Sequence, residues 1–195
     1  MARAAPGGTT AAIGLGSNLG DRARHIAQAL VELGAHGTVT AISGLYETAP
    51  IGGPRQGPFL NAVVLLNTSV SPRDLLEECL TIEKNHDRER FERWGPRTLD
   101  LDILLFGGRR VKEQGLEIPH PELTKRRFVL EPLLEVWPQA MLPDGTPVAG
   151  FMAHVQDQQV RRLESSPQNR GRSFAIFAVT GVAAAFLWWL AGLLL

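Results

Sequence analysis

The stretch Arg93-Trp94-Gly95-Pro96-Arg97-Thr98-Leu99-Asp100-Leu101-Asp102-Ile103-Leu104-Leu105-Phe106 reads as a turn followed by an apolar strand with two carboxylates set inside it. On a pleated strand, residues two apart point to one face. Asp100 and Asp102 therefore project together, while Leu99, Leu101 and Ile103 face the other way. Mg²⁺ takes one or two carboxylates and completes its shell with water and phosphate oxygens. Arg97, just upstream, has the side chain best shaped for phosphate. A solvated strand end is the ordinary explanation of a lone Asp-x-Asp. Here the chain continues through Ile103, Leu104, Leu105 and Phe106 into a core, where a carboxylate is costly unless it is paired or metal-bound. The stretch predicts a magnesium and phosphate site on the closing strand of an α+β fold.

Upstream of it the periodicities alternate. Thr10 to Leu15 is a short β-type run ending in Gly16-Ser17-Asn18, after which Ala23, Ile26, Ala27, Leu30 and Val31 recur at helical spacing until Gly34. Thr38 to Tyr46 and Phe59 to Thr68 read as strands, separated by a loop rich in Pro and Gly. Ser71-Pro72 starts a second helix with a capping side chain and a proline at its first position, and Leu75, Leu76, Cys79, Leu80 and Ile82 form its buried face. Leu99 to Phe106 completes the series. The order βαββαβ predicts an α+β ferredoxin-like sandwich, two helices on one face of an antiparallel-type sheet. Downstream, Phe128 to Val136 reads as a short helix, Pro143-Asp144-Gly145 as a turn and Pro147 to Leu163 as a last amphipathic helix.

Acidic and basic residues balance at 20 each over 195 residues, which argues against a generally basic nucleic-acid-binding surface. Cys79 is the sole cysteine, so no intramolecular disulfide forms, and its apolar neighbours mark it as a small buried hydrophobe. Residues 1–9 lack the apolar core of a secretory signal and read as a disordered lead to a domain at 10–160. Residues 161–173 are polar and rich in Pro, Ser, Gln, Asn and Gly, the composition of a linker. Phe174 to Leu195 is 22 residues without a charge. As a helix it would be about 33 Å long, enough for a hydrocarbon core of about 30 Å. The expectation is a C-terminal transmembrane helix. Four arginines precede it and no charge follows, which sets the catalytic domain on the cytoplasmic side.

Gly14-Leu15-Gly16-Ser17-Asn18-Leu19 begins like a dinucleotide fingerprint, but Leu19 stands in place of the third glycine and the Rossmann reading fails. A tight strand-to-helix turn capped by Ser17 or Asn18 is the better use of the segment. No P-loop occurs. Arg88, Arg90, Arg93, Arg97, Arg126 and Arg127 flank the aspartates, partly neutralised by Asp87, Glu89 and Glu92. Arginines around a metal-bound polyphosphate neutralise charge that develops in a transition state. Asn61, in an otherwise apolar strand, carries both a donor and an acceptor, which suits the edge of a heterocycle or a structural bond to a nearby loop. Phe59 and Phe128 read as core; Trp94 suits core or a lid over a base; His120, in Ile118-Pro119-His120-Pro121, suits an ordinary loop or a donor to phosphate.

Taken together, Leu15 to Arg22, Tyr46-Glu47-Thr48-Ala49-Pro50, Phe59-Leu60-Asn61-Ala62-Val63, Arg93 to Phe106 and Pro119-His120-Pro121 resemble the 6-hydroxymethyl-7,8-dihydropterin pyrophosphokinases, over about residues 10 to 160. The resemblance implies transfer of diphosphate from ATP to the pterin alcohol, with AMP as the second product, on the path to tetrahydrofolate. It implies two Mg²⁺ ions held by Asp100 and Asp102, as in two-metal clamps on an in-line displacement. Arg88 and Arg97 bind the transferring phosphates. Glu83, Arg90, Trp94, Ile103, His120 and Arg126 belong to the ATP pocket. The pterin stacks between Phe59 and Phe128, with Thr48, Ala49, Ile51 and Asn61 along its hydrogen-bonding edge. The sequence departs from the family pattern at Leu80, where Gln is common, at Asp87, where Gly is usual, and in its apolar tail. The expected partners are the two small-molecule substrates and, through the tail, a membrane, with no nucleic acid and a monomeric catalytic domain. The rivals are another Mg²⁺-dependent nucleotidyl or phosphoryl transferase, indifferent to Asn61, and a tethered binding module without turnover.

Overall fold

The computed structural model describes residues 7–50, 52–86 and 95–164. The chain runs β1 (Thr9–Ser17), α1 (Arg22–Leu33), β2 (Thr38–Ile42), β3 (Tyr46–Thr48), β4 (Phe59–Thr68), α2 (Pro72–Asn85), β5 (Asp100–Phe106), β6 (Val111–Glu113), β7 (Leu116–Ile118), α3 (Arg127–Val136) and β8 (Arg161–Arg162), with 3-10 turns at Leu123–Lys125 and Val148–Val155. The main sheet has the order β5-β1-β4-β3-β8, with β2 also on β4, and every pairing is antiparallel. Strands β6 and β7 form a separate hairpin.

Local chemistry sets the helix starts. Asp21 caps α1 by accepting from the Arg24 amide at 3.1 Å, and Ser71 caps α2 by accepting from the Asp74 amide, with Pro72 at the first helical position. Both helices turn their apolar faces to one side of the sheet. There Ala11, Ile13 and Leu15 of β1 and Ala62, Val64 and Leu66 of β4 meet Ile26, Leu30, Leu75 and Ile82. The alternate strand residues build a second core on the other face, where Ala12, Val63, Leu65, Leu104 and Leu105 pack against Val129, Leu130 and Leu133 of α3.

This second core covers only half of its face, and a bulge marks the border. Ala12 pairs with Leu105 and Ile13 with Ile103, so Leu104 has no partner on β1. The extra residue lets Leu104 and Leu105 both enter the second core and returns Phe106 to the first. Before the bulge, the second face of β5 carries Asp102 and Asp100.

The structure corrects the expected architecture in four places. The run Thr38 to Tyr46 is two strands, interrupted at Ser43–Leu45. Ser43 still donates its amide to Val63 O at 2.9 Å, while its Oγ accepts from the Val63 amide at 2.9 Å, so a side chain replaces one ladder carbonyl. The helix expected over Pro147 to Leu163 is a 3-10 turn followed by β8. Arg161 and Arg162, placed by composition in a linker, instead pair with Glu47 and Tyr46 of β3. The ferredoxin-like fold with a C-terminal transmembrane helix is also withdrawn in that form. Among the described residues no helix is long and apolar enough to cross a membrane. The longest, α2, has 14 residues, about 21 Å against a hydrocarbon core of about 30 Å. Residues 174–195, on which the span was expected, lie outside the described residues. With no observation behind it, the membrane anchor and the localisation it implied are dropped, and the fold is stated as α+β with an antiparallel sheet.

Candidate active site

One line of registered residues organises the uncovered half of the second face. Arg162 pairs with Tyr46, Tyr46 with Asn61, Asn61 with Gly16, and Gly16 with Asp100. Direct partners in antiparallel strands share a face, so this row crosses five strands, roughly 19 Å at the usual strand spacing. Val63, Gly14 and Asp102 form the next row toward the second core. The central strand contributes two glycines. A Cβ on Gly16 would lie 3.5 Å from Asn61 Oδ1 and 3.7 Å from Asp100 Cβ. The bare backbone leaves a lane between an amide and a carboxylate, the usual meaning of glycine where a ligand approaches a strand.

The acidic end is held from several sides. Arg97 Nη1 donates to Asp100 Oδ2 at 2.7 Å, and its guanidinium carbon lies 5.9 Å from the Phe59 ring centroid. Asn18 fixes the arginine's backbone: its Oδ1 accepts from the Arg97 amide at 2.8 Å, and its own amide donates to Arg97 O at 3.0 Å. Its Nδ2 donates to Gln56 Oε1 at 2.9 Å and to Gly57 O at 3.3 Å. Asn18 thus joins the end of β1, the loop before β4 and the turn before β5. Sequence reading offered it only as a helix cap, a role Asp21 fills. A buried Asn beside Gly-x-Gly was the available signal, but its partner is 79 residues away.

At the other end, Asn61 is 5% exposed and donates Nδ2 to Thr48 Oγ1 at 2.9 Å. The amide orientation this fixes turns Oδ1 toward Gly16. Thr48 is buried, Phe59 half-buried and Ala49 exposed. Phe128, half-buried on α3, packs against the second core, with the Arg126 guanidinium carbon 5.8 Å from its ring centroid.

The outer edge of β5 brings together a third group. Glu83, 3% exposed at the end of α2, accepts from the Leu101 amide at 2.7 Å and so anchors the peptide between the two aspartates. His120 donates its backbone amide to Leu104 O at 3.0 Å. Its Nδ1 accepts from the Glu122 amide at 3.1 Å, which leaves the ring proton on Nε2, 3.9 Å from Asp102 Oδ1. A cavity of about 330 Å³ runs along this edge, lined by Asp102, Ile103, His120, Leu76 and Leu116 among others. The Ile103 side chain, 4% exposed, lies in the first core, opposite the aspartates. A larger hollow of about 440 Å³, lined by His25, Glu32 and His86, lies between α1 and α2 and shares no residue with the site. Burial, and then the charges of Glu83 and Asp102, push the Cys79 thiol up to about 12, so it stays a protonated core residue. Arg88, Arg90, Trp94 and Ile51 lie outside the described residues.

The donor set fits a hard dication. Among the described residues no three His, Cys, Asp or Glu converge as a closed metal cage. Asp100 and Asp102, two carboxylates on one face, match the one or two protein ligands that Mg²⁺ takes when substrate phosphates and water complete its shell.

Known proteins share both the sequence and the fold. The family model described as 7,8-dihydro-6-hydroxymethylpterin-pyrophosphokinase matches residues 12–138. The 2-amino-4-hydroxy-6-hydroxymethyldihydropteridine pyrophosphokinase of Bacillus subtilis is 47% identical over 129 residues, 65% of this chain and 77% of the relative. That of Methylorubrum extorquens is 40% identical over 158 residues, 80% of this chain and 99% of the relative. The crystal structure of Plasmodium falciparum HPPK-DHPS aligns with a TM-score of 0.61 at 15% identity, a likeness of fold, over 80% of this chain and 48% of that one. The chain thus spans about half the length of that structure. The fold is an antiparallel α+β sandwich, and the sequence matches place the chain among the pyrophosphate-transferring enzymes. The chain belongs to the 7,8-dihydro-6-hydroxymethylpterin-pyrophosphokinase family. Its reaction is ATP-dependent transfer of a pyrophosphoryl group to hydroxymethyldihydropterin in folate biosynthesis.

Proposed function

We propose that the uncovered half of the second sheet face is the reaction site, with the pterin over the Gly16 lane and ATP along the outer edge of β5. The observation that carries this reading is the alignment of Asn61, Gly16 and Asp100 across three paired strands. It sets an amide acceptor and a metal-binding carboxylate on either side of a gap with no side chain. The domain that carries the reaction extends over residues 10–160, and β8, just beyond it, adds a short edge strand to its sheet.

Asn61 Oδ1, oriented by Thr48, accepts from the N–H edge of the pterin, and Ala49 and Ile51 lie along the same edge. Phe59 and Phe128 stack on the ring. Asp100 and Asp102 would hold two Mg²⁺ ions, which would supply neutralisation of the phosphate charge during transfer. Arg97, braced by Asn18, and Arg88 bind the phosphate oxygens whose charge grows in the transition state. His120 donates from Nε2 to phosphate. Arg90, Trp94 and Arg126 line the nucleotide site, Ile103 contributes through its backbone, and Glu83 holds the β5 edge in place. The alcohol oxygen attacks the β-phosphorus and gives up its proton to solvent, the bond from that phosphorus to the oxygen bridging the α-phosphate breaks, and AMP leaves. Because the transferred group is already highly anionic, positioning and charge stabilisation provide the acceleration rather than a strong general base.

Steady-state kinetics of Asn61→Ala and Phe128→Ala test the substrate assignment. Each is expected to raise the pterin KM about tenfold or more through a lost hydrogen bond or stacking face, with little change in the ATP KM. A loss confined to ATP would overturn it.

A further inference from the structure

We propose that Glu135 is a positioning residue for the pterin: by joining α3 to β3 and β8 it sets where Phe128 stands against the sheet. This rests on the reading of Phe128 as a stacking face. Glu135 Oε2 accepts from the Tyr46 hydroxyl at 2.8 Å and from the Gly44 amide at 3.0 Å, and Oε1 accepts from Arg162 Nη2 at 2.5 Å. One carboxylate near the end of α3 thereby holds the β2–β3 connection, β3 and β8. Arg162 passes close over the bare Gly44, where a Cβ would lie 2.9 Å from Arg162 Nε.

The junction touches the site at two points. Tyr46 and Arg162 belong to the same cross-sheet row as Asn61, Gly16 and Asp100, and Tyr46 O also accepts from Asn61 Nδ2 at 3.4 Å. Phe128 and Glu135 stand seven residues apart on one helix, about two turns, and therefore on one side of it. The other end of α3 is tied as well: the Arg127 amide donates to Gln158 Oε1 at 2.9 Å. With Phe128 between these ties, loss of the Glu135 junction frees the helix to tilt and changes the gap open to a flat ring. Small misplacements of binding groups carry large kinetic effects.

The test compares Glu135→Ala, Glu135→Gln, Arg162→Lys, Phe128→Ala and the double variant Glu135→Ala/Phe128→Ala in the full chain, measuring KM for each substrate, kcat and thermal unfolding. Glu135→Ala is expected to raise the pterin KM about tenfold with the ATP KM unchanged. Glu135→Gln keeps an acceptor for Tyr46 and Gly44 and, like Arg162→Lys, should raise it only about threefold; it carries the test if the alanine variant does not fold. Because Glu135 acts through Phe128, the double variant should have a pterin KM no higher than that of Phe128→Ala. Equal rises in both KM values, or additive effects in the double variant, overturn the inference. An unchanged pterin KM in folded Glu135→Ala, beside a raised one in Phe128→Ala, overturns it alone. An unchanged pterin KM in Phe128→Ala overturns the stacking assignment and the inference with it.

Discussion

Tyr46 is the sole tyrosine of the chain, so its titration reports directly on the Glu135 junction. Burial, then the hydrogen bond and charge of Glu135, push the phenol up to about 12 from its ordinary 10.0. A folded pKa above the unfolded one means that the protonated phenol stabilises the fold fully below about pH 10, and that this contribution is lost as pH rises through about 12. The tyrosinate absorbance of the native protein should therefore rise with a midpoint near 12, and Glu135→Gln should move that midpoint downward. An ordinary midpoint in the native protein contradicts the buried contact. Other single residues differ in how far the sequence announces them. Asp100 and Asp102 are legible because a period of two is a local property of a strand. Asn18 is not, because its partners Gln56, Gly57 and Arg97 are distant in sequence and its local context equally suits a cap. Glu135 shows no motif at all: it becomes a junction only when β3 and β8 meet α3.

The elements explain why the site sits where it does. Along β1, β4 and β5 the second face passes from Ala12, Leu65 and Leu105 in the core to Gly16, Asn61 and Asp100 outside it. The Leu104 bulge lets one strand serve both halves. Gly16→Val is a direct probe of the lane. A β-branched residue suits a strand, and a Cβ here makes only ordinary contacts of 3.5 and 3.7 Å, so the variant should fold within about 1 kcal/mol of the wild type. Its methyls would stand between Asn61 and Asp100, and kcat/KM for the pterin should fall at least about tenfold. Full activity in the folded variant would show that the lane is not used. The strands β1, β4 and β5 and the helices α1 and α2 were readable from alternation, helical spacing and caps. The break at Ser43 was not, because a serine hydroxyl in the ladder looks like any strand serine. Nor was β8: two arginines at the start of a polar run look like a linker until Glu47 and Glu135 are seen to receive them.

At the scale of the molecule, the sheet separates two tasks. The face under α1 and α2 is continuous core. The other is half core and half the proposed reaction surface, closed at its far edge by β8, where Arg161 and Arg22 hold the Glu47 carboxyl below the usual carboxylate range. The family and the α+β class were legible in the sequence because they rest on contiguous motifs, and Asp100 and Asp102 were legible as two carboxylates on one face of a strand, for which the metal-holding role is proposed. The membrane anchor rested on the length of an uncharged run and the charges before it, outside the described residues, and is not retained. The most direct test of the account is the rate of AMP formation from ATP and 6-hydroxymethyl-7,8-dihydropterin at saturating Mg²⁺, for the wild type and for Asp102→Ala. The account predicts AMP and pterin diphosphate in equal amounts from the wild type. It predicts a fall in kcat of about 10²-fold or more in the variant, about 2.7 kcal/mol of lost transition-state stabilisation, with no loss of thermal stability. A folded Asp102→Ala enzyme with near-wild-type kcat would contradict it.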